Sequence, residues 1–176
     1  MYYQTKYSSP LGEITLASDG ESLVGLWFVG QKYYGGTVHG EMLPKDDLPV
    51  FAAAKDWLDR YFAGERPEIH ELPLAPIGGA FRQKVWKLLC EIPYGEVTTY
   101  GTLAKKIAAL EGKSSMSAQA VGGAVGHNPI SIMIPCHRVV GANGSLTGYA
   151  GGIERKTALL TLEGADSVSL KNTKKR

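Results

Sequence analysis

Cys136 stands in the run Pro135-Cys136-His137-Arg138, where a thiol, an imidazole and a guanidinium follow one another. A nucleophilic cysteine works as its thiolate. The groups that lower a thiol's pKa are imidazoles, cationic side chains and helix N-termini, and two of these kinds flank Cys136. Adjacent side chains of an extended segment point apart, so His137 serves Cys136 only in a tight turn or through a bridging water, and Pro135 allows such a turn. The competing reading is an inert buried thiol beside a surface histidine. Cys90 falls among the helically spaced apolar residues Phe81, Val85, Leu88, Leu89 and Ile92 and reads as a core thiol. Two cysteines supply neither a disulfide framework nor a four-thiolate zinc site, so no metal and no cofactor is expected. His39 and His70 have no recognisable partners. The glycines of Val121 to Gly126 are not followed by the Lys-Ser/Thr of a phosphate loop.

The elements that must position Cys136 are legible around it. The first thirty residues alternate between Tyr2 and Tyr7, Glu13 and Ala17, and Leu23 and Phe28, with turn formers between, which predicts a small antiparallel sheet. Gly30 to Leu43 reads as a loop. Asp46-Asp47 then caps a helix whose apolar positions are Val50, Phe51, Ala54, Leu58 and Phe62 and which Gly64 ends. Pro67, Pro73 and Pro76 make Arg66 to Gly79 a linker and the domain boundary. Beyond it, a helix over Phe81 to Ile92 stops at Pro93-Tyr94-Gly95. Thr98 or Thr99 caps a second over Tyr100 to Leu110, and Ser117 a third over Ala118 to Gly126. The last two resemble a helix-turn-helix. The small residues Ala118, Ala120, Gly122, Gly123 and Ala124 permit close approach either to a DNA groove or to a neighbouring helix.

With 176 residues, 44% of them apolar and 20% charged, the chain is long enough to bury a core and too short for a large multidomain machine. Its net charge of +2 hides an asymmetry. Residues 1–79 carry 6 Lys plus Arg against 11 Asp plus Glu, and residues 80–176 carry 13 against 6, as expected if only the second half meets a polyanion. No apolar run reaches the roughly 18 residues of a membrane span, and Met1 to Lys6 lacks a signal pattern, so a cytoplasmic protein is expected.

The string Ile134 to Val140, preceded by Asn128-Pro129 and followed by Tyr149-Ala150-Gly151-Gly152, resembles the signature of the O6-alkylguanine-DNA alkyltransferases. The likeness covers most of residues 80–164, while residues 1–79 match in outline. The family implies an α+β fold. A small N-terminal antiparallel sheet with a helix (1–79, ribonuclease-H-like) precedes a mainly helical domain (80–166) with a helix-turn-helix of winged-helix type. A basic tail, 167–176, closes the chain.

The resemblance also implies the chemistry. Cys136 accepts an alkyl group from O6 of guanine, or O4 of thymine, and is not regenerated. His137 takes the thiol proton through a water, Glu163 orients the imidazole, Tyr100 donates a hydrogen bond to the guanine ring, and Asn128 braces the turn. Plainer readings exist: Glu163 as a helix-end carboxylate, Tyr100 as a packing residue, Asn128 as a helix cap. Because O6 in a stacked base is out of a thiol's reach, the base must be flipped. The carbonyls of Cys136 and Val139 and the N–H of Ala150 then read its edge, and Tyr149 lines the pocket. Ala118, Ala120 and Gly122 face the minor groove, and Arg138 lies at the DNA. Gln119 stands where most relatives carry an arginine finger, giving up a charge and guanidinium stacking. The implied partner is double-stranded DNA containing O6-alkylguanine, bound by a monomer, with no membrane involved. Two alternatives differ in product: an alkyltransferase-like lesion binder leaves no mass change, and a cysteine hydrolase turns over.

Overall fold

The computed structural model describes residues 1–146, 148–165 and, as backbone, 171–172. They form two compact units: Met1–Gly78 with Pro129–Met133, and Gly79–Asn128 with the chain from Ile134 onward.

In the first unit β1 (Tyr2–Ser9), β2 (Gly12–Ser18) and β3 (Leu23–Phe28) form an antiparallel meander. A fourth strand, β4 (Met42–Pro44), runs parallel to β1 at the edge and begins within the last two residues of the segment expected to be loop. Three residues ending in proline give too short a pattern to read as a strand. All of β3 is buried, and Gly25 is there for space: a Cβ at that position would stand 2.1 Å from the Trp27 ring.

Helix α1 (Pro49–Phe62) opens with proline at its first turn and has Leu48 as its N-cap, without a side-chain bond. The expected Asp46-Asp47 cap is not made, because Asp46 accepts a hydrogen bond from Thr5 Oγ1 at 2.6 Å and Asp47 pairs with Lys45 at 3.2 Å. Trp57 and Tyr61, stacked at 5.5 Å, complete its buried face with Val50, Phe51, Ala54 and Leu58; Phe62 is only half-buried. The outer edge of β3 is closed by two segments. Leu23 exchanges backbone bonds with Pro73 and Ala75, and Leu26 with Pro129 and Ser131. This docking holds Ile132 at φ 70°, an unusual value for a β-branched residue, just upstream of the cysteine turn.

The second unit holds α2 (Ala80–Leu89), β5 (Thr98–Thr99), α3 (Tyr100–Leu110), α4 (Ala118–Gly126), β6 (Val139–Val140), β7 (Ser145–Leu146), α5 (Ile153–Leu162) and β8 (Lys171–Asn172). Helix α2 stops at Leu89, shorter than expected, with Cys90 as its C-cap. The other caps are as expected: Thr99 Oγ1 accepts from the N–H of Thr102, and Ser117 Oγ from that of Ala120, each at 3.1 Å. Trp86 Nε1 donates to the Ala124 carbonyl at 2.8 Å, fastening α2 to α4. Strands β5 and β6 pair in parallel, as do β7 and β8. Of the basic tail 167–176, only Lys171–Asn172 falls within the described residues. The architecture is the expected α+β arrangement, with β4 as a parallel addition to its sheet.

Candidate active site

Cys136–Arg138 form a single 3-10 turn between Pro135 and β6. Proline's restricted φ and the bond from the Arg138 N–H to the Pro135 carbonyl at 3.0 Å close it. Asn128, 3% exposed just past α4, donates from Nδ2 to the Ile134 carbonyl at 2.7 Å and so ties that helix to the turn.

His137 is fully buried. Its Nε2 lies 2.7 Å from Glu163 Oε2, and its Nδ1 has no hydrogen-bond partner among protein atoms. Glu163 is the C-cap of α5, where the helix ends and its carboxylate can turn back beneath the cysteine turn. Burial works against its charge, but hydrogen bonds to His137 and Arg138 outweigh that and hold it ionised, with a pKa brought down to about 2. Nε2 is therefore the protonated nitrogen and Nδ1 the basic one. Burial keeps the ring neutral by pushing its pKa below the ordinary 6.5.

Burial also pushes the Cys136 thiol up, against the pull of Asn128, Lys156 and two backbone N–H groups. The flanking His137 and Arg138 thus leave no preformed thiolate. The sulfur needs a base at the moment of reaction.

Arg138, expected at the DNA, is 7% exposed, and three of its five N–H donors are held by protein acceptors. Nε and Nη2 reach Glu163 Oε1 and Oε2 at 2.7 and 3.1 Å, and Nη1 reaches the Ile92 carbonyl at 2.7 Å. Cys90, expected in the core, is exposed at the end of α2, because the helix stops before it.

Lys156 is a site residue that sequence reasoning missed. It is fully buried on α5, and its Nζ donates to the Val139 carbonyl at 2.6 Å and the Gly148 carbonyl at 3.3 Å, with burial lowering its pKa to about 8. Its spacing gives a signal: Lys156, Leu159, Leu160 and Glu163 share one helix face, so a lysine there must be buried with partners.

The remaining predicted residues divide by exposure. Ala118, Gln119 and Ala120 are exposed on the first turn of α4, while Val121, Ala124 and Val125 face inward. Of the small residues on α4, Ala124 packs inward, and Ala118 and Ala120 stay on the surface. Gly122 faces Tyr100, the half-buried first residue of α3, and a Cβ there would meet its ring at an ordinary contact distance of 3.7 Å. Tyr149 and Ala150 are half-buried before α5, where the Gly152 N–H bonds to the Tyr149 carbonyl at 2.9 Å. Val139 is buried, and its carbonyl carries the Lys156 bond. Among the described residues, no group of three or more His, Cys, Asp or Glu could hold a metal ion, and no helix is long and apolar enough to cross a membrane.

Comparison with known proteins gives two family matches. Residues 1–76 match the "6-O-methylguanine DNA methyltransferase, ribonuclease-like domain", and residues 80–165 the "6-O-methylguanine DNA methyltransferase, DNA binding domain". A methylated-DNA–protein-cysteine methyltransferase of Haemophilus influenzae is 45% identical over 161 residues, covering 92% of this chain and 86% of that protein. One from Methanosarcina acetivorans is 44% identical over 166 residues, covering 94% and 99%. Among solved structures, Mycobacterium tuberculosis OGT in complex with DNA superposes with a TM-score of 0.78 at 45% identity, over 93% of this chain and 92% of that one.

Proposed function

From the premise that this chain belongs to the 6-O-methylguanine DNA methyltransferase family, we propose that Cys136 is the residue that takes the alkyl group. The reaction is direct repair of DNA: transfer of a methyl or other alkyl group from O6 of guanine, or O4 of thymine, to a cysteine of the protein. Cys136 Sγ attacks the alkyl carbon in line with the C–O6 bond. A C–S bond forms as that bond breaks, and its electron pair leaves on the guanine. The thiol proton passes through a water to His137 Nδ1, and the departing guanine anion takes up a proton from solvent water. The product is a thioether that no group in the site cleaves, so each molecule acts once.

The observation that carries this reading is the fixed order of nucleophile, base and orienter. A buried neutral thiol shares one turn with a neutral imidazole whose Nδ1 is uncommitted and whose Nε2 is held at 2.7 Å by an ionised carboxylate. Tyr100 stabilises negative charge on the leaving guanine. The carbonyls of Cys136 and Val139 and the N–H of Ala150 read the base edge, beside Tyr149. The Cys136 carbonyl accepts from the Val139 N–H, and the Val139 carbonyl accepts from Lys156 Nζ. Ala118, Ala120 and Gly122 lie at the minor groove, and Gln119 fills the stack left by the flipped base. The protein acts as a monomer in the cytoplasm, where its thiols stay reduced.

Intact-mass measurement and peptide mapping after mixing with a duplex containing O6-methylguanine test the reading. One methyl group on Cys136, absent in Cys136→Ser, is the expected result. Binding without a mass change points to a lesion binder, multiple turnover to a hydrolase, and either would contradict it.

A further inference from the structure

The guanidinium of Arg138 takes no step in the reaction above and does not face solvent, yet it makes three inward hydrogen bonds. Two land on the carboxylate that holds the base. Glu163 Oε2 receives both His137 Nε2 at 2.7 Å and Arg138 Nη2 at 3.1 Å, and Oε1 receives Arg138 Nε at 2.7 Å. The third, to the Ile92 carbonyl, anchors Arg138 in the turn between α2 and β5. Tyr94 of that turn lies under the guanidinium at 5.6 Å and donates to the Leu162 carbonyl at 3.3 Å. At Gly95, φ 83°, a Cβ would stand 3.1 Å from the Glu163 carbonyl oxygen. The cysteine turn therefore holds the carboxylate, and the turn after α2 holds Arg138 and the backbone at the end of α5.

What the carboxylate does to the imidazole depends on its other partner. A buried carboxylate facing an imidazole alone favours the imidazolium, because the ion pair relieves its unpaired charge. An imidazolium has no lone pair to take a thiol proton. Where a guanidinium already forks onto the carboxylate, that charge is matched and the ring gains little by protonation. The charged groups acting on His137 are Lys156 of α5, Glu163 at its C-cap and Arg138 of its own turn, and of these only Glu163 favours the charged ring. We propose that Arg138 is a positioning residue that keeps His137 a neutral base, protonated on Nε2 and open on Nδ1, by sharing its carboxylate. The kinetic consequence rests on the function proposed above, and the titration of the ring does not.

The experiment uses the full chain in three forms: wild type, Arg138→Met and Arg138→Lys. The His137 ring is followed by NMR across pH, and single-turnover methyl transfer from an O6-methylguanine duplex to Cys136 is timed over the same range. In Arg138→Met the ring's titration midpoint should rise by about one pH unit or more, and the acid limb of the rate profile should move with it. Arg138→Lys, which keeps the charge without the fork, should move both less. A midpoint and limb unmoved in Arg138→Met would overturn the proposal. Should that variant not fold, Arg138→Lys decides: a midpoint above that of wild type supports the proposal, and one unmoved overturns it. A midpoint that moves as expected while Cys136 takes up no methyl supports the role of Arg138 and counts against the proposed function alone.

Discussion

Arg60 and Arg138 each lay a guanidinium on a glutamate, with a histidine close by. In the first unit Arg60 reaches Glu71 at 2.7 Å and Asp56 at 3.0 Å, while His70 contacts Glu68 at 2.8 Å. Those side chains are 31–83% exposed. In the second unit Arg138 reaches Glu163 at 2.7 Å and His137 reaches the same carboxylate, with side chains 0–8% exposed. The parts and distances match and the surroundings differ. Water screens the first cluster, so each member is replaceable at little cost. Burial makes every member of the second answer for the others, because a partner removed there leaves a charge with no solvent to receive it. The same residue types brace a surface in one place and set a proton's position in the other.

The largest difference should appear when the glutamates are neutralised. Glu163→Gln strands the buried guanidinium and should cost about 3–5 kcal/mol of stability in denaturant unfolding, whereas Glu71→Gln should leave the transition almost where it was. Equal losses would erase the comparison.

Acid should separate the clusters next. Glu163 has a folded pKa of about 2, below its ordinary 4.5, so its contribution is fully present above pH 4.5 and is lost as pH falls through 2. His137, with its pKa pushed below 6.5, adds a penalty as pH falls below that value, since the unfolded ring binds a proton that the folded ring resists. Glu71 is lowered by Arg60 with the same sign, but in solvent. The slope of stability against pH between 4.5 and 2 should therefore flatten in Glu163→Gln and stay near wild type in Glu71→Gln.

The smallest effect is that of salt. Raising NaCl to about 1 M shortens the screening length to roughly 3 Å. The carboxylate resonance of Glu71 should then titrate closer to its ordinary value, and that of Glu163 should not move.

The outline of this contrast is legible in the sequence and its core is not. Thr99 and Ser117 announce their helices because capping is local, and the cysteine turn is visible because proline, cysteine and histidine sit together. Strand β4 is invisible because three residues carry no period, and the Asp46-Asp47 cap fails because Thr5, 41 residues away in the chain, takes that carboxylate. Arg138 illustrates the deeper limit. A cation next to the nucleophile looks like a DNA contact until Glu163, 25 residues later, is folded beneath it. Lys156 is readable from its helix face, but only its partners, the carbonyls of Val139 and Gly148, explain how a buried ammonium is tolerated.

The most direct measurement is the single-turnover rate of methyl transfer from an O6-methylguanine duplex to Cys136, in Glu163→Gln beside Glu71→Gln. Loss of the orienting carboxylate should slow the first by about 10²-fold or more, with the second at the wild-type rate. Transfer at the wild-type rate in folded Glu163→Gln would contradict the account.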